Sequence, residues 1–188
     1  MTRATGSAGF GDHRVRSRRP RASTGFRHEA IFYSGDAAFV SATSPFLRQG
    51  IEANEPALVV VSGSKIDALR DELGDEAGSV QFADMEDVGL NPVRIIALWQ
   101  RFVERHAPPG HPVRGIGEPL WSERSPAEMA ECQRHERLLN LAFTNTRDFW
   151  LLCPYDSESL DESVIEEARH GHSYLSEGGS GSCASDRR

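Results

Sequence analysis

Glu136 stands where an apolar side chain belongs. The segment after Ser125-Pro126 sets Met129, Cys132, Leu139 and Phe143 along one helical stripe, and Glu136 fills the rung between Cys132 and Leu139. A carboxylate on a buried stripe is costly unless it is paired, hydrogen-bonded or protonated, so the position demands a partner. Asn140 follows one turn later on the same face, and Glu118 or Arg114 is expected to approach from a neighbouring strand end. Two readings follow for Glu136: a polar network pinning the helix to a sheet, or an acid that touches a ligand. His135 beside it reads as a satisfied boundary histidine or a second ligand contact. Cys132 and His135, three apart, have the spacing of half a metal site. No second convincing pair accompanies them, and His170-Gly-His172 falls near a tail of linker composition, so no metal or other cofactor is assigned. Cys153 at a strand end, with a histidine, has the ingredients of a nucleophile pair, yet no Asn or Asp stands ready to orient the base. Trp99, Trp121 and Tyr155 suit either a core or the apolar wall of a small-molecule pocket.

Phosphate chemistry is the other possibility to weigh. A phosphate cradle needs a Gly-x-x-x-x-Gly-Lys-Ser/Thr loop opening a helix. Ser62-Gly63-Ser64-Lys65 contains the single lysine of the chain, but the upstream glycine is missing and the loop is too short to wrap a phosphate. It reads as a strand-to-helix turn.

These residues need a frame. Five short apolar runs have strand length: Ala30 to Tyr33, Ala57 to Ser62, Val80 to Ala83, Val113 to Ile116 and Phe149 to Cys153. The continuous run Ala57-Leu58-Val59-Val60-Val61 suits a parallel strand buried on both faces. Helical segments lie between the runs. One starts at Asn91-Pro92 and carries Ile95, Trp99, Phe102 and His106 along one face; another starts at Ser125-Pro126. The first helix, from Asp36, contains Pro45 and is expected to kink or restart there, and to end at Gly50. Alternating strands and helices predict an α/β fold: a three-layer sandwich with a mostly parallel, five-stranded sheet. In such sheets ligands bind beyond the carboxyl ends of the strands. That rule selects Ser34-Gly35-Asp36, Ser62 to Lys65, Asp84-Met85, Gly117-Glu118 through Trp121, and Pro154-Tyr155-Asp156.

Composition bounds the function. The chain has 188 residues and a formal charge of -7, but residues 1–27 hold seven arginines against one aspartate, so the remaining body is strongly acidic. An acidic body without a basic stripe argues against nucleic acid as its partner. No apolar run has the length of a membrane span, and three cysteines without repeated spacing suggest neither a disulfide framework nor a four-ligand zinc site, so a reducing cytoplasm is the expected compartment. The leader 1–26 and the Gly/Ser-rich tail 176–188 have the composition of disordered segments, leaving 27–175 as the folded unit.

Five strings carry a resemblance: His28-Glu-Ala-Ile-Phe-Tyr33, Asn91-Pro92-Val-Arg94 with the Trp99 helix, Gly117-Glu-Pro-Leu-Trp121, His135-Glu-Arg-Leu-Leu-Asn140-Leu-Ala-Phe143, and Cys153-Pro-Tyr-Asp156. In this order they resemble the MEDS domain, the sensory domain named for methanogens, methylotrophs and the dichloromethane-dehalogenase regulator. The resemblance spans about residues 27–170 and implies a cytoplasmic sensory domain related in fold to the RecA and circadian-clock ATPases without their phosphate-binding loop. It implies a small, hydrocarbon-derived signal. In actinobacteria the domain commonly precedes a histidine-kinase-like ATPase module in proteins that resemble anti-sigma-factor regulators. The family offers no residue-level catalytic assignment. Glu118, Trp121, His135, Glu136, Asn140, Tyr155 and Asp156 are therefore the ligand-binding candidates. After about Tyr174 the sequence runs into a Gly/Ser tail where the family pattern has its ATPase module, so no kinase activity is expected of it, and it reads as a stand-alone sensor or a truncated relative.

The leading expectation is a non-enzymatic domain that binds a small molecule and modulates a protein partner, a sigma-factor regulator or an ATPase module, in transcription or sigma-factor control. A degenerate RecA-like nucleotide-binding enzyme and a ligand-free interaction module are the alternatives.

Overall fold

The computed structural model describes residues 25–88, 92–108, 110–118, 125–146 and 148–178. In chain order the elements are β1 (Phe26–Tyr33), α1 (Asp36–Glu52), β2 (Ala57–Val61), α2 (Gly63–Leu73), a 3-10 segment (Gly74–Ser79), β3 (Val80–Asp84), α3 (Met85–Val88), α4 (Pro92–His106), β4 (Val113–Gly117), α5 (Pro126–Ala142), β5 (Phe149–Asp156), α6 (Glu162–Gly171) and β6 (Tyr174–Glu177). The strands form one parallel sheet in the order β3-β2-β4-β5-β1-β6.

Strand alternation divides the core. Ile31, Tyr33, Val59, Val61, Ile116 and Leu152 face α1 and α2, packing on Phe39, Leu47, Ile66 and Leu69. Ala30, Phe32, Val60, Leu151, Cys153 and Tyr155 face the other layer, where Ile95, Trp99, Leu139, Phe143 and Ile165 cover them. The three-layer α/β sandwich expected from the sequence is the observed fold, with six strands instead of five. The sixth, β6, is a short polar edge strand paired only with β1, so it has no apolar run to announce it. β1 begins at Phe26 and β6 reaches Glu177, so regular structure extends slightly past both composition limits. Residues 1–24 and 179–188 lie outside the described residues. Among the described residues no helix is long and apolar enough to cross a membrane.

The restart at Pro45 and the end at Gly50 need correction. α1 runs unbroken through Pro45 and past Gly50 to Glu52. Gly50 is there for space: a Cβ on it would lie 2.8 Å from Arg114 Cδ. That close approach lets Arg114 reach the Phe46 carbonyl at 2.8 Å and Glu55 at 2.5 Å. The start of α5 follows its sequence signal: the Ser125 backbone N–H and hydroxyl donate to Glu128 Oε2, and the Glu128 N–H donates back to Ser125 Oγ.

β1 and β5 are neighbours whose outgoing connections run in opposite directions, β1 toward β2 and β5 across β1 to β6. In open α/β sheets such a pair marks the strand ends where ligands commonly bind.

Candidate functional site

The sequence candidates separate onto the two faces of the sheet. Glu118, at the end of β4, lies on the α1/α2 side. Lys65 Nζ donates to both its carboxylate oxygens, at 2.8 and 2.7 Å, and to Tyr33 Oη at 2.7 Å; Tyr33 Oη in turn donates to Glu118 Oε1. Burial raises the Glu118 pKa against the opposing pull of Lys65, and burial beside Glu118 pushes the Tyr33 phenol far up. With Lys65 turned onto Glu118 and Tyr33, its ammonium points away from the role of a phosphate-binding lysine.

Asp156 ends β5 beside Tyr33 at the end of β1. Gly35, in a left-handed conformation at φ 76°, donates its N–H to Asp156 Oδ1 at 3.1 Å, as does Glu158 N–H, while Ser159 Oγ donates to Oδ2 at 2.9 Å. Partial burial raises the carboxyl, but these donors and Lys65 outweigh it and hold Asp156 below its ordinary 3.8. Its contribution to stability is thus present above pH 3.8 and lost as pH falls through the depressed value. Asp156→Asn should cost on the order of 1 kcal/mol at neutral pH. In urea melts the gap to the parent should narrow at pH 3; a gap independent of pH would contradict the assignment.

The other candidates converge beneath α5 and α6. Glu136 is buried as the stripe requires, but neither Glu118 nor Arg114 is its partner; both engage the opposite face. Its carboxylate meets two histidines instead. Oε2 lies 3.1 Å from His28 Nε2, on β1, and 3.5 Å from His172 Nε2, in the link between α6 and β6. His28 Nε2 is also 3.2 Å from Cys153 Sγ on β5. The parallel register pairing Ala30 with Cys153 puts His28 and Cys153 on one face. All four residues are buried, and their ligand-type atoms lie within 4.8 Å of one another.

Hydrogen bonds orient both imidazoles. His172 Nδ1 donates to the Ala168 carbonyl at 2.9 Å. Asn140 Nδ2 donates to the Gly171 carbonyl at 3.3 Å, which turns its Oδ1 to accept from His28 Nδ1 at 3.1 Å. Each ring thereby turns its Nε2 toward the Glu136 carboxylate. Burial, only partly countered by Glu136, lowers the His28 pKa; burial pushes the Cys153 thiol well up. For Glu136 burial acts upward, but the two imidazoles prevail and keep the carboxyl far below its usual range.

A cavity of about 280 Å³ opens beside this cluster between α5 and α6. Tyr155, Val164 and Ala168 form its apolar wall, and Glu136 and His172 reach it from the cluster. Tyr155 is buried edge-on to the His172 ring, with centroids 5.6 Å apart. At the outer side Arg137 of α5 pairs with Glu167 of α6. A larger groove of about 600 Å³ along α4 is lined by Arg101, Glu104 and Arg105 and has no comparable convergence of buried polar groups.

Of the sequence candidates, Glu136, Asn140 and Tyr155 therefore share one site, with His135 buried beside Glu136 on α5. Glu118 and Asp156 sit at the strand ends on a separate network, and Trp121 lies outside the described residues. His28 was absent from the candidates, and His172 was set aside as too near the tail. Strand periodicity carried a signal for His28: it shares the alternation of Ala30 and Phe32, so it had to be a buried polar group.

No curated protein matches the sequence significantly. The family model for the MEDS domain, described as the methanogen/methylotroph, DcmR sensory domain, matches residues 27–173, which contain the sheet through β5, α6 and every residue of the buried cluster. The chain belongs to the MEDS family of sensory domains.

Proposed function

We propose that this chain is a ligand-responsive regulatory domain that performs no catalysis itself, and that its signal is a small molecule held in the cavity between α5 and α6. The observation that carries this reading is the composition of that cavity: about 280 Å³, walled by Tyr155, Val164 and Ala168, with the buried Glu136 and His172 on its inner side and Gln133, Arg137, Glu167 and His170 completing the lining. An apolar body with one hydrogen-bond donor fits such a site. Occupancy changes the spacing of α5 and α6, and a protein partner in transcription or sigma-factor control reads that change. A ligand signals only through a difference in affinity between two states. Sensory family membership supports this role.

The test is a thermal-shift series with short alcohols and alkylamines. At a concentration one hundred times its Kd, a cognate compound adds about 2.7 kcal/mol of stability, roughly 5–10 °C in Tm for a chain of this size. Val164→Phe fills the cavity and should abolish the shift while the far-UV spectrum is retained. An undiminished shift in that variant would place the binding elsewhere.

A further inference from the structure

We infer that His28 Nε2, His172 Nε2, Cys153 Sγ and a carboxylate oxygen of Glu136 form a four-ligand site for a divalent transition metal of the zinc type. The first ground is an unmet need. Among the described residues neither oxygen of Glu136 has an aligned hydrogen-bond donor, and His172 Nε2 has no hydrogen-bond partner, although all three atoms are buried. A buried carboxylate whose nearest counterparts are two imidazoles, neither aligned to donate, is expensive. A cation at the centre meets His172 Nε2 and one Glu136 oxygen together and neutralises the carboxylate charge.

The second ground is geometry. Zinc bonds of about 2.0 Å to nitrogen and oxygen and 2.3 Å to sulfur set tetrahedral ligands about 3.3–3.8 Å apart. The contacts of 3.1, 3.2 and 3.5 Å fall close to that spacing, and the remaining pairs, all within 4.8 Å, need to draw in by about 1 Å at most. Third, each histidine donates its other ring N–H outward, His172 to the Ala168 carbonyl and His28 to Asn140, which is how metal-ligating imidazoles are usually held. Charge balances as well. Binding displaces the Cys153 proton to solvent, and a dication with one thiolate, one carboxylate and two neutral imidazoles leaves the buried site neutral. Nitrogen, sulfur and oxygen donors in this mixture favour zinc or cobalt over magnesium or calcium. The neighbouring cavity reaches Glu136 and His172, giving the ion a route in.

This inference stands independently of the small-molecule reading, because its test contains no organic ligand. The full chain, freed of metal with a chelator, is titrated with Co²⁺. The expected result is one equivalent bound, with the visible absorption of tetrahedral cobalt and a near-ultraviolet sulfur-to-cobalt band, both abolished by Zn²⁺. Cys153→Ser should remove the sulfur band and Cys132→Ser should leave it. Asn140, a positioning residue, should weaken cobalt binding about 10–100-fold on change to Ala, with Asn140→Asp, which keeps the acceptor for His28, restoring most of it. X-ray absorption of the zinc-loaded parent should show one sulfur in the coordination shell, a reading that needs no folded variant. Failure of the folded parent to bind stoichiometric cobalt, a sulfur band that survives Cys153→Ser, or a coordination shell without sulfur would each overturn the assignment.

Discussion

Lys65→Met should destabilise the protein by about 3–5 kcal/mol, lowering Tm by roughly 6–20 °C. The reason lies in what remains. Glu118 is 3% exposed and receives two of its hydrogen bonds from Lys65, whose removal strands a carboxylate at the end of β4 with only Tyr33 as donor. The favourable part of a buried ion pair is offset by the desolvation of both charges, so losing one partner costs far more than losing both. A double-mutant cycle separates the two effects. In a Glu118→Gln background, where the side chain is neutral and still accepts from Tyr33, Lys65→Met should cost only a small fraction of the single change. Equal costs in the two backgrounds, measured by urea denaturation, would mean that Lys65 stabilises the fold through its aliphatic stem instead.

Trp99→Ala is the second large effect, about 3–5 kcal/mol. Trp99 is 1% exposed and projects from α4 onto β4, where Gly115 and Gly117 leave a notch in the sheet surface. A Cβ at Gly115 would lie 2.8 Å from the indole, 2.9 Å from Leu151 Cδ1 and 3.1 Å from the Phe149 ring. The ring and the notch are thus one packing unit. Gly115→Ala alone should cost about 1–3 kcal/mol by overpacking, and less when Trp99 is already Leu. Chemical denaturation of the four proteins in that cycle checks the coupling; strict additivity would show that ring and notch do not share their space.

The parallel core was legible because buried strands write continuous apolar runs, as in Ala57 to Val61, and because helix starts carry local chemistry, as at Ser125 with Glu128. Glu136 was legible for the opposite reason: a charge on an apolar stripe breaks the period and so reveals that something answers it. What answers it was not legible. His28 and His172 are 108 and 36 residues away from Glu136, and only the strand register and the α6–β6 link bring them in. Periodicity reports which face a side chain takes and says nothing about which distant residue shares that face. For the same reason Glu118, just past the end of β4, and Glu136, within α5, read as parts of one site, although the sheet lies between them. β6 left no trace because its four residues, Tyr174 to Glu177, are only partly buried and carry no apolar run.

The order in which the chain is made has a consequence for β1. Of the described strands it is the first synthesised, yet it lies inside the sheet, and its two neighbours, β5 and β6, are the last two of them. At ribosomal rates of about 5–20 residues per second, its partners follow on the order of ten seconds later. Throughout that interval Ala30 to Tyr33 presents two open edges and two apolar faces, the condition in which nascent chains pair wrongly or recruit chaperones. The histidine–cysteine–glutamate cluster, drawing on β1, α5, β5 and the link before β6, can assemble only when this long closure is complete. An ion arriving there would bind the finished fold alone, acting as a clasp on the slowest and most distant pairing in the molecule.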